Sequence, residues 1–530
     1  MSGGRRGLAG ETESAIIFCT GKSGAMMTVI LDGVADMTLD NLARVALAGE
    51  KVRYGPRSLK MIDRSFRAFQ TYVDKHRGIF IYGITASGGP TASKRRRPED
   101  LRALNSRPNP FPGLSFADEN YPEYIVRAAV FSRLACWLEG TSAISKAKAA
   151  TYTQALDGPM PKVPAQGGIG AGEVVLGQAL NRIMPRRSPN HYETGGNRSN
   201  FNNGMAGITA IFARRRLELA TKVLALSIEG FKAPLEAYDP DLRGLWNDPY
   251  ETAAINTLQA HLRGVPRKNR RFYQAPVSWR IIPRVLGQAY RSVAAMEAVA
   301  TAGLRDMASN PTYIPPSRAH PLGHTISTGS YHNAISSAAF DNVTSSWADL
   351  GEIMHRQAVK FHKGEVSLLP DRLLPQGTDY LTGVSTTYLE YVANGFLEEM
   401  RMLTAPTLLT AREPAASEQD DINISGPLGW MKEDRASRLF DKVMAVLAAT
   451  ASQALHITER KPPPRLAEFT ETVRRYFPPV TATRVLGNDA KRLADAFARS
   501  VTDGEVFEKP GKVSGGKRKR PAARTREMAR

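Results

Sequence analysis

Apolar residues recur at steps of three and four along several long stretches. Leu217, Ala220, Leu224 and Ile228 do so ahead of Gly230, and Val293, Met296, Ala300 and Leu304 mark a second stripe. Leu439, Val443, Val446, Thr450 and Ala454 form a third, after the polar segment MKEDR. Such spacing lines one face of an α-helix. The stripes are broad and rich in alanine, which suits long helices packed closely against several neighbours. Strand signals are confined to the N-terminal region, where AIIFCT and MMTVILDG are short apolar runs, the second closed by glycine. The pattern predicts a mainly α protein with a small N-terminal α+β part. It divides into an N-terminal extension (1–25), an α+β part (26–200), a helical bundle (201–504) and a tail (505–530).

Composition adds little to that picture and charge adds one feature. With 530 residues, 42% of them apolar, the chain needs neither disulfides nor a metal to hold a core. Its two cysteines, Cys19 and Cys136, make no disulfide framework or Cys-x-x-Cys motif, which fits a reducing, cytoplasmic setting. No apolar run is long enough to span a bilayer, and no apolar stretch follows the first arginines as in a secretion signal. The net charge is +20, but Lys509 to Arg530 hold nine Lys or Arg against one acid, so eight of those charges sit in a tail with almost nothing apolar. That segment is expected to be disordered. Nucleic acid is expected to find nothing beyond weak contacts with its KRKR run, Lys517 to Arg520. A second basic cluster, Lys94 to Arg97, reads as a solvated loop.

Some apparent motifs carry no chemistry. Gly21-Lys22-Ser23 resembles the end of a phosphate-binding loop, but Ile16 stands where the first glycine is required. His320 and His324 have the spacing of two ligands on a helix, yet Pro321 and Gly323 lie between them. His355 and His362 have no carboxylate at ligand spacing. No metal is expected.

Eight segments occur in the order and rough spacing of the aromatic amino acid ammonia-lyases and aminomutases. They are MTVILDGVADMTLDNLARVALAGEKVRYGP, IYGITASGG, GGIGAGEVVLGQAL, FNNGMAGITA, YQAPVSWRIIPRVLGQ, SNPTYI, STGSYHNA and SEQDDINISGP. The chain thus resembles that family over about residues 27 to 460. The resemblance implies a long-helix bundle of the ammonia-lyase (fumarase/aspartase-like) type. It also implies a homotetramer whose sites are each built from three subunits, and an electrophilic prosthetic group, 4-methylideneimidazol-5-one, made from an Ala-Ser-Gly tripeptide.

The chain departs from the family at that tripeptide. Where relatives read Gly-Ser-Val-Gly-Ala-Ser-Gly-Asp, it reads Gly167-Gly168-Ile169-Gly170-Ala171-Gly172-Glu173-Val174. Dehydration of the serine supplies the electrophilic methylene carbon, and Gly172 has no side-chain carbon to lose. Ala171, Gly172 and Glu173 therefore read as a remnant loop, and no prosthetic group is expected. Ala86-Ser87-Gly88 repeats the triplet, but within the segment that matches the family's mobile tyrosine loop.

The other positions carry over one at a time. Tyr82 matches the tyrosine that removes the β-proton. Arg280 matches the arginine that grips the substrate carboxylate, for which a guanidinium fork is suited. Asn203 matches the asparagine that helps bind the carboxylate and the prosthetic group. Gln274, Gln419 and Asp420 match polar positions, with glutamate usual where Asp420 stands. Tyr331 replaces a phenylalanine, Arg107 a histidine that contacts the substrate ring, and Val277 a tyrosine beside the prosthetic group. The carboxylate-binding half is largely kept and the electrophile-supporting half eroded. Three readings follow: a Tyr82-dependent enzyme acting on an amino acid or related carboxylate without the prosthetic group, a conventional ammonia-lyase or aminomutase, or an inactive homologue serving as a binding or scaffold protein.

Overall fold

The structure, a computed structural model, describes residues 27–76, 78–97, 99–100, 103, 117–167, 171–180, 183, 191–194, 198–271, 274–375, 377–378, 385–409 and 421–504. The AIIFCT run, Gly21 to Ser23, Cys19 and the basic tail lie outside them.

A small α+β unit opens the described chain. Strand β1 (Val29–Leu31) pairs in parallel with β2 (Val52–Tyr54), Val29 opposite Val52. Helix α1 (Leu39–Ala46) joins them, its first turn capped by Thr38, whose hydroxyl accepts from Asn41 N at 3.1 Å. Helix α2 (Pro56–Lys75) follows. Helix α3 (Glu123–Arg133) leads into the bundle, whose long members are α4 (Asn200–Gly230), α5 (Ile282–Arg305), α6 (Ala334–Phe361) and α7 (Gly426–Ile457). Each stripe read from the sequence falls inside one of these helices. Between α5 and α6 runs a second two-stranded ribbon, β3 (Thr312–Ile314) antiparallel to β4 (His324–Ile326). Neither β2 nor this ribbon was expected, because three-residue strands carry no readable alternation.

Helix α4 is the axis of the molecule. Of its 31 residues 26 are buried, and α3, α5 and α7 all pack against it. Close approach depends on glycine: a Cβ on Gly204 would lie 2.7 Å from Ala129 N and 2.8 Å from the Ala128 carbonyl carbon, both backbone atoms of α3. At mid-length Arg216 makes a two-pronged ion pair with Asp441 of α7, Nε to Oδ1 at 2.8 Å and Nη2 to Oδ2 at 3.0 Å, with both residues buried.

Two expectations are corrected. The MKEDR segment lies inside α7, not before it, and buries Glu433, which accepts from Trp347 Nε1 at 3.0 Å. A polar run stays helical there because neighbouring helices supply donors. His362 does have a carboxylate partner: it is buried, with Nδ1 3.0 Å from Glu390 Oε2 and Nε2 2.7 Å from Thr386 Oγ1. Those partners lie on a later segment, so local spacing could not show them. The basic cluster at 94–97 is solvated as expected, with Lys94, Arg95 and Arg97 exposed, and is anchored as well: Ser87 N donates to Lys94 O, Arg95 lies over Phe80 and Arg96 Nε donates to Ser87 Oγ at 3.1 Å. The N-terminal part and the bundle share one core that runs from Val29 to Phe497.

Replacing Gly204 by Ala is expected to destabilise the protein by about 3 kcal/mol, because two helix backbones must separate to admit the methyl group. A urea midpoint shift below the error of measurement would contradict this packing.

Candidate active site

The expected site residues fall into three groups. The first surrounds the N-terminus of α4, where helix amides lack intrahelical partners. Glu173 supplies them: Oε2 accepts from Phe201 N and Oε1 from Asn202 N, each at 2.7 Å. To bring its carboxylate there, the chain turns through two successive left-handed residues, Gly172 (φ 65°) and Glu173 (φ 53°). The second of these is costly for a residue with a side chain. Ser199 Oγ donates to the Tyr331 carbonyl at 2.6 Å. Asn203 is buried, with Oδ1 accepting from Asn333 Nδ2 at 2.6 Å and Nδ2 donating to Gly303 O at 2.8 Å. Its neighbour Asn202 accepts from Ser336 Oγ at 2.9 Å. Gly172, Glu173, Asn203 and Tyr331 are thus brought together.

Sequence reasoning missed how many residues hold this end. Asn333, Ser336 and Asn202 were not singled out, nor was Arg198, whose Nη1 donates to Cys136 Sγ at 2.9 Å and whose Nη2 donates to the Gly303 and Asp306 carbonyls. A Ser-Asn-Phe-Asn-Asn run at a helix start was the available signal. Glu173 itself was read only as an unsuitable residue in the remnant loop, whereas here it organises the helix end. Burial pushes its carboxyl up to about 7, outweighing the two amide bonds and the nearby Arg198 and Arg133 charges.

The second group is the tyrosine loop. Ile81 and Ile84 are buried against Phe69, Tyr72 and Tyr313, which anchors the loop on either side of half-buried Tyr82. The Tyr82 hydroxyl accepts from Gly89 N at 3.0 Å. Ala86-Ser87-Gly88 forms part of a hairpin, with Ala86 N donating to Ile81 O and Ser87 N to Lys94 O.

The third group holds Gln274, Val277 and Arg280, all exposed, on and before the one-turn helix Val277–Arg280. Buried Trp279 fixes it: the indole stacks on Phe231, centroids 3.7 Å apart, and donates to Ser227 Oγ at 3.2 Å. Arg280 Nε donates to Ala275 O at 3.0 Å, and no carboxylate among the described residues pairs with it. Ser227 lies 24 residues after Asn203 on the same helix, about 36 Å along its axis. Asn203 and Arg280 therefore stand at opposite ends of α4, and one chain does not bring them together. Arg107, Gln419 and Asp420 lie outside the described residues. Among the described residues no three His, Cys, Asp or Glu side chains are grouped as a metal would need, and no helix is long and apolar enough to cross a membrane. His320 and His324 lie with ring centroids 4.2 Å apart and planes tilted by 44°, across a turn and not on a helix.

The order of these segments along a bundle of long helices is that of a lyase-like class of helical proteins. The model of that class, aromatic amino acid lyase, matches residues 37–181 and 197–475, and the chain belongs to this family of carbon–nitrogen lyases. It is 24% identical over 516 residues to a histidine ammonia-lyase from Symbiobacterium thermophilum, covering 91% of this chain and 98% of that one. In fold it is similar to the ergothioneine-degrading enzyme ergothionase from Treponema denticola (TM-score 0.77, 16% identity, 91% of this chain and 100% of that one). It is likewise similar to tyrosine aminomutase from Streptomyces globisporus (TM-score 0.75, 19% identity, 90% and 98%).

The Glu173 carboxyl has a pH signature. A carboxyl at about 7 in the fold, against an ordinary 4.5, holds its proton more tightly in the native than in the unfolded chain between those values. Its contribution to stability is therefore present at low pH and falls by about 3 kcal/mol as pH rises through that window. Glu173→Gln is expected to flatten the fall of Tm between about pH 5 and pH 8 relative to wild type, in thermal melts by circular dichroism. Parallel profiles would assign the slope elsewhere, Glu433 being the other buried carboxyl raised to about 7.

Proposed function

We propose that this protein is an enzyme acting on an amino acid or related carboxylate, that Tyr82 is its general base, and that it works without the methylideneimidazolone group. The observation that carries this reading is the state of residues 171–173. Gly172 offers no carbon for the electrophile, and Glu173 cannot be spared as the third residue of a cyclised tripeptide, because its carboxylate holds two amides of the central helix. These residues do not fit the group. Nor is the triplet at 86–88 a substitute: Ser87 Oγ accepts from Arg96, and the Ala86 and Ser87 amides are committed to hairpin bonds.

Without that electrophile, the base must act on a proton that the substrate itself makes acidic, in an elimination, addition or isomerisation. Arg280 grips the substrate carboxylate through its unpaired guanidinium, and Tyr82 takes the proton. Asn203, Tyr331, Gln274, Gln419 and Asp420 line the remaining polar site, with Arg107 and Val277 beside the substrate side chain. Because Asn203 and Arg280 sit at opposite ends of α4, the site is completed by other copies of the chain, in a homotetramer. The exposed apolar side chains of Tyr388, Tyr391, Val392 and Met402, all on the helix Tyr388–Leu403, supply surface for such packing. A second reading, conventional deamination of an aromatic amino acid, is favoured by the near-complete coverage of a histidine ammonia-lyase.

Ammonia release and product formation across a panel of amino acids, before and after borohydride, separate the two. Borohydride-insensitive turnover is expected, and sensitivity would overturn the proposal in favour of conventional deamination. Arg280→Ala is expected to weaken carboxylate binding by about 2–4 kcal/mol, and Tyr82→Phe to keep binding while losing turnover. Light scattering is expected to find a tetramer, and a monomer would remove the shared site.

A further inference from the structure

A cavity of about 390 Å³, lined by none of the residues given a role above, lies between the segment Leu235–Arg243 and the end of the helix Pro249–His261 with the turn that follows it. Its charge is one-sided. Arg243, Arg263 and Arg267 line it, with the neutral amides of Asn256 and Gln259, and no acid is among the lining residues. Arg263 and Arg267 have no carboxylate partner among the described residues. Three exposed arginines that line one cavity, with no acid among its lining residues, give it a positive field that favours an anion.

The rim is built and not merely a loop that carries charge. Gly264 turns the chain in the left-handed region (φ 86°), and a Cβ there would come 3.3 Å from Pro464 Cγ, so the turn is seated against a neighbouring segment. Val265 is buried, and its amide donates to Leu262 O at 3.1 Å. Beyond Arg267 the loop is fastened again by Arg270, which pairs with Glu229 at 2.8 Å and donates to the Pro266 carbonyl. On the opposite wall Arg243 is oriented by two bonds, Nε to Pro240 O and Nη1 to Asn256 Oδ1, both 2.8 Å. Its planar fork retains donors for a second acceptor. The remaining wall is apolar, formed by Leu235, Leu262 and Val265.

We propose that this cavity is a binding site for a small phosphate ester, the phosphate held between Arg243, Arg263 and Arg267 and the organic part against Leu235, Leu262 and Val265. A doubly charged oxyanion matches the arginine forks better than a single carboxylate does, and the volume is that of a small-molecule site. Free phosphate shares the anion chemistry but has nothing to place on the apolar wall.

Isothermal titration of the full chain with phenyl phosphate and with inorganic phosphate, at about 0.15 M salt, tests this. Saturable binding at one site per chain is expected, with phenyl phosphate the tighter ligand. The double variant Arg263→Gln, Arg267→Gln is expected to lose at least about tenfold in affinity for both probes. Arg475→Gln, an exposed arginine outside the cavity, is expected to change neither. Equal affinity for the two probes, lost in the double variant, would keep the anion site and assign it to free phosphate. Absence of binding, affinity unchanged in the double variant, or an equal loss in Arg475→Gln would each overturn the proposal.

Discussion

The carboxylate of Glu173 on the first amides of the helix Asn200–Gly230 is the contact on which the rest of this molecule is arranged. A helix so deeply buried leaves its free N–H groups without water, and an unpaired amide in that position costs on the order of 1–3 kcal/mol. The chain answers with an acid delivered through two left-handed residues and with two asparagines that bind outward to Gly303, Asn333 and Ser336. The helix end, the start of the helix Ala334–Phe361 and the end of the helix Ile282–Arg305 are thereby held as one polar joint within an apolar bundle.

The same joint accounts for how the loop at 171–173 is used. The chain places glycine and glutamate at this point and uses the glutamate structurally. A buried carboxyl committed to two amides is not a residue that drifts without consequence, since its loss exposes a helix terminus inside the core. The other end of the helix has its own fixture, the stack of Trp279 on Phe231, and it presents Arg280 outward. Each end of one rigid rod therefore offers its own set of polar groups, about 36 Å apart.

Much of the bundle was legible because long helices repeat their signal. The stripes at 217–228, 293–304 and 439–454 each lie within a helix of the structure, since the buried face must recur every turn whatever the helix packs against. The family-like segments named Tyr82, Asn203 and Arg280 as candidates, but not all the residues that hold the start of the helix Asn200–Gly230. Arg198, Asn333 and Ser336 escaped because their partners are more than a hundred residues away. His362 escaped because its carboxylate, 28 residues on, lies on a different helix.

What the sequence alone determined is the helical class, the position of the long helices, the family-like order of its segments and the absence of serine at 172. These are local properties, set by residue type and spacing. Only the tertiary structure decided that Glu173 is a helix-capping acid, that MKEDR is helical, that the basic cluster at 94–97 is tied to the tyrosine loop and that Asn203 and Arg280 stand far apart. A buried polar group takes its meaning from the groups that satisfy it, and those groups come together only when distant parts of the chain have packed.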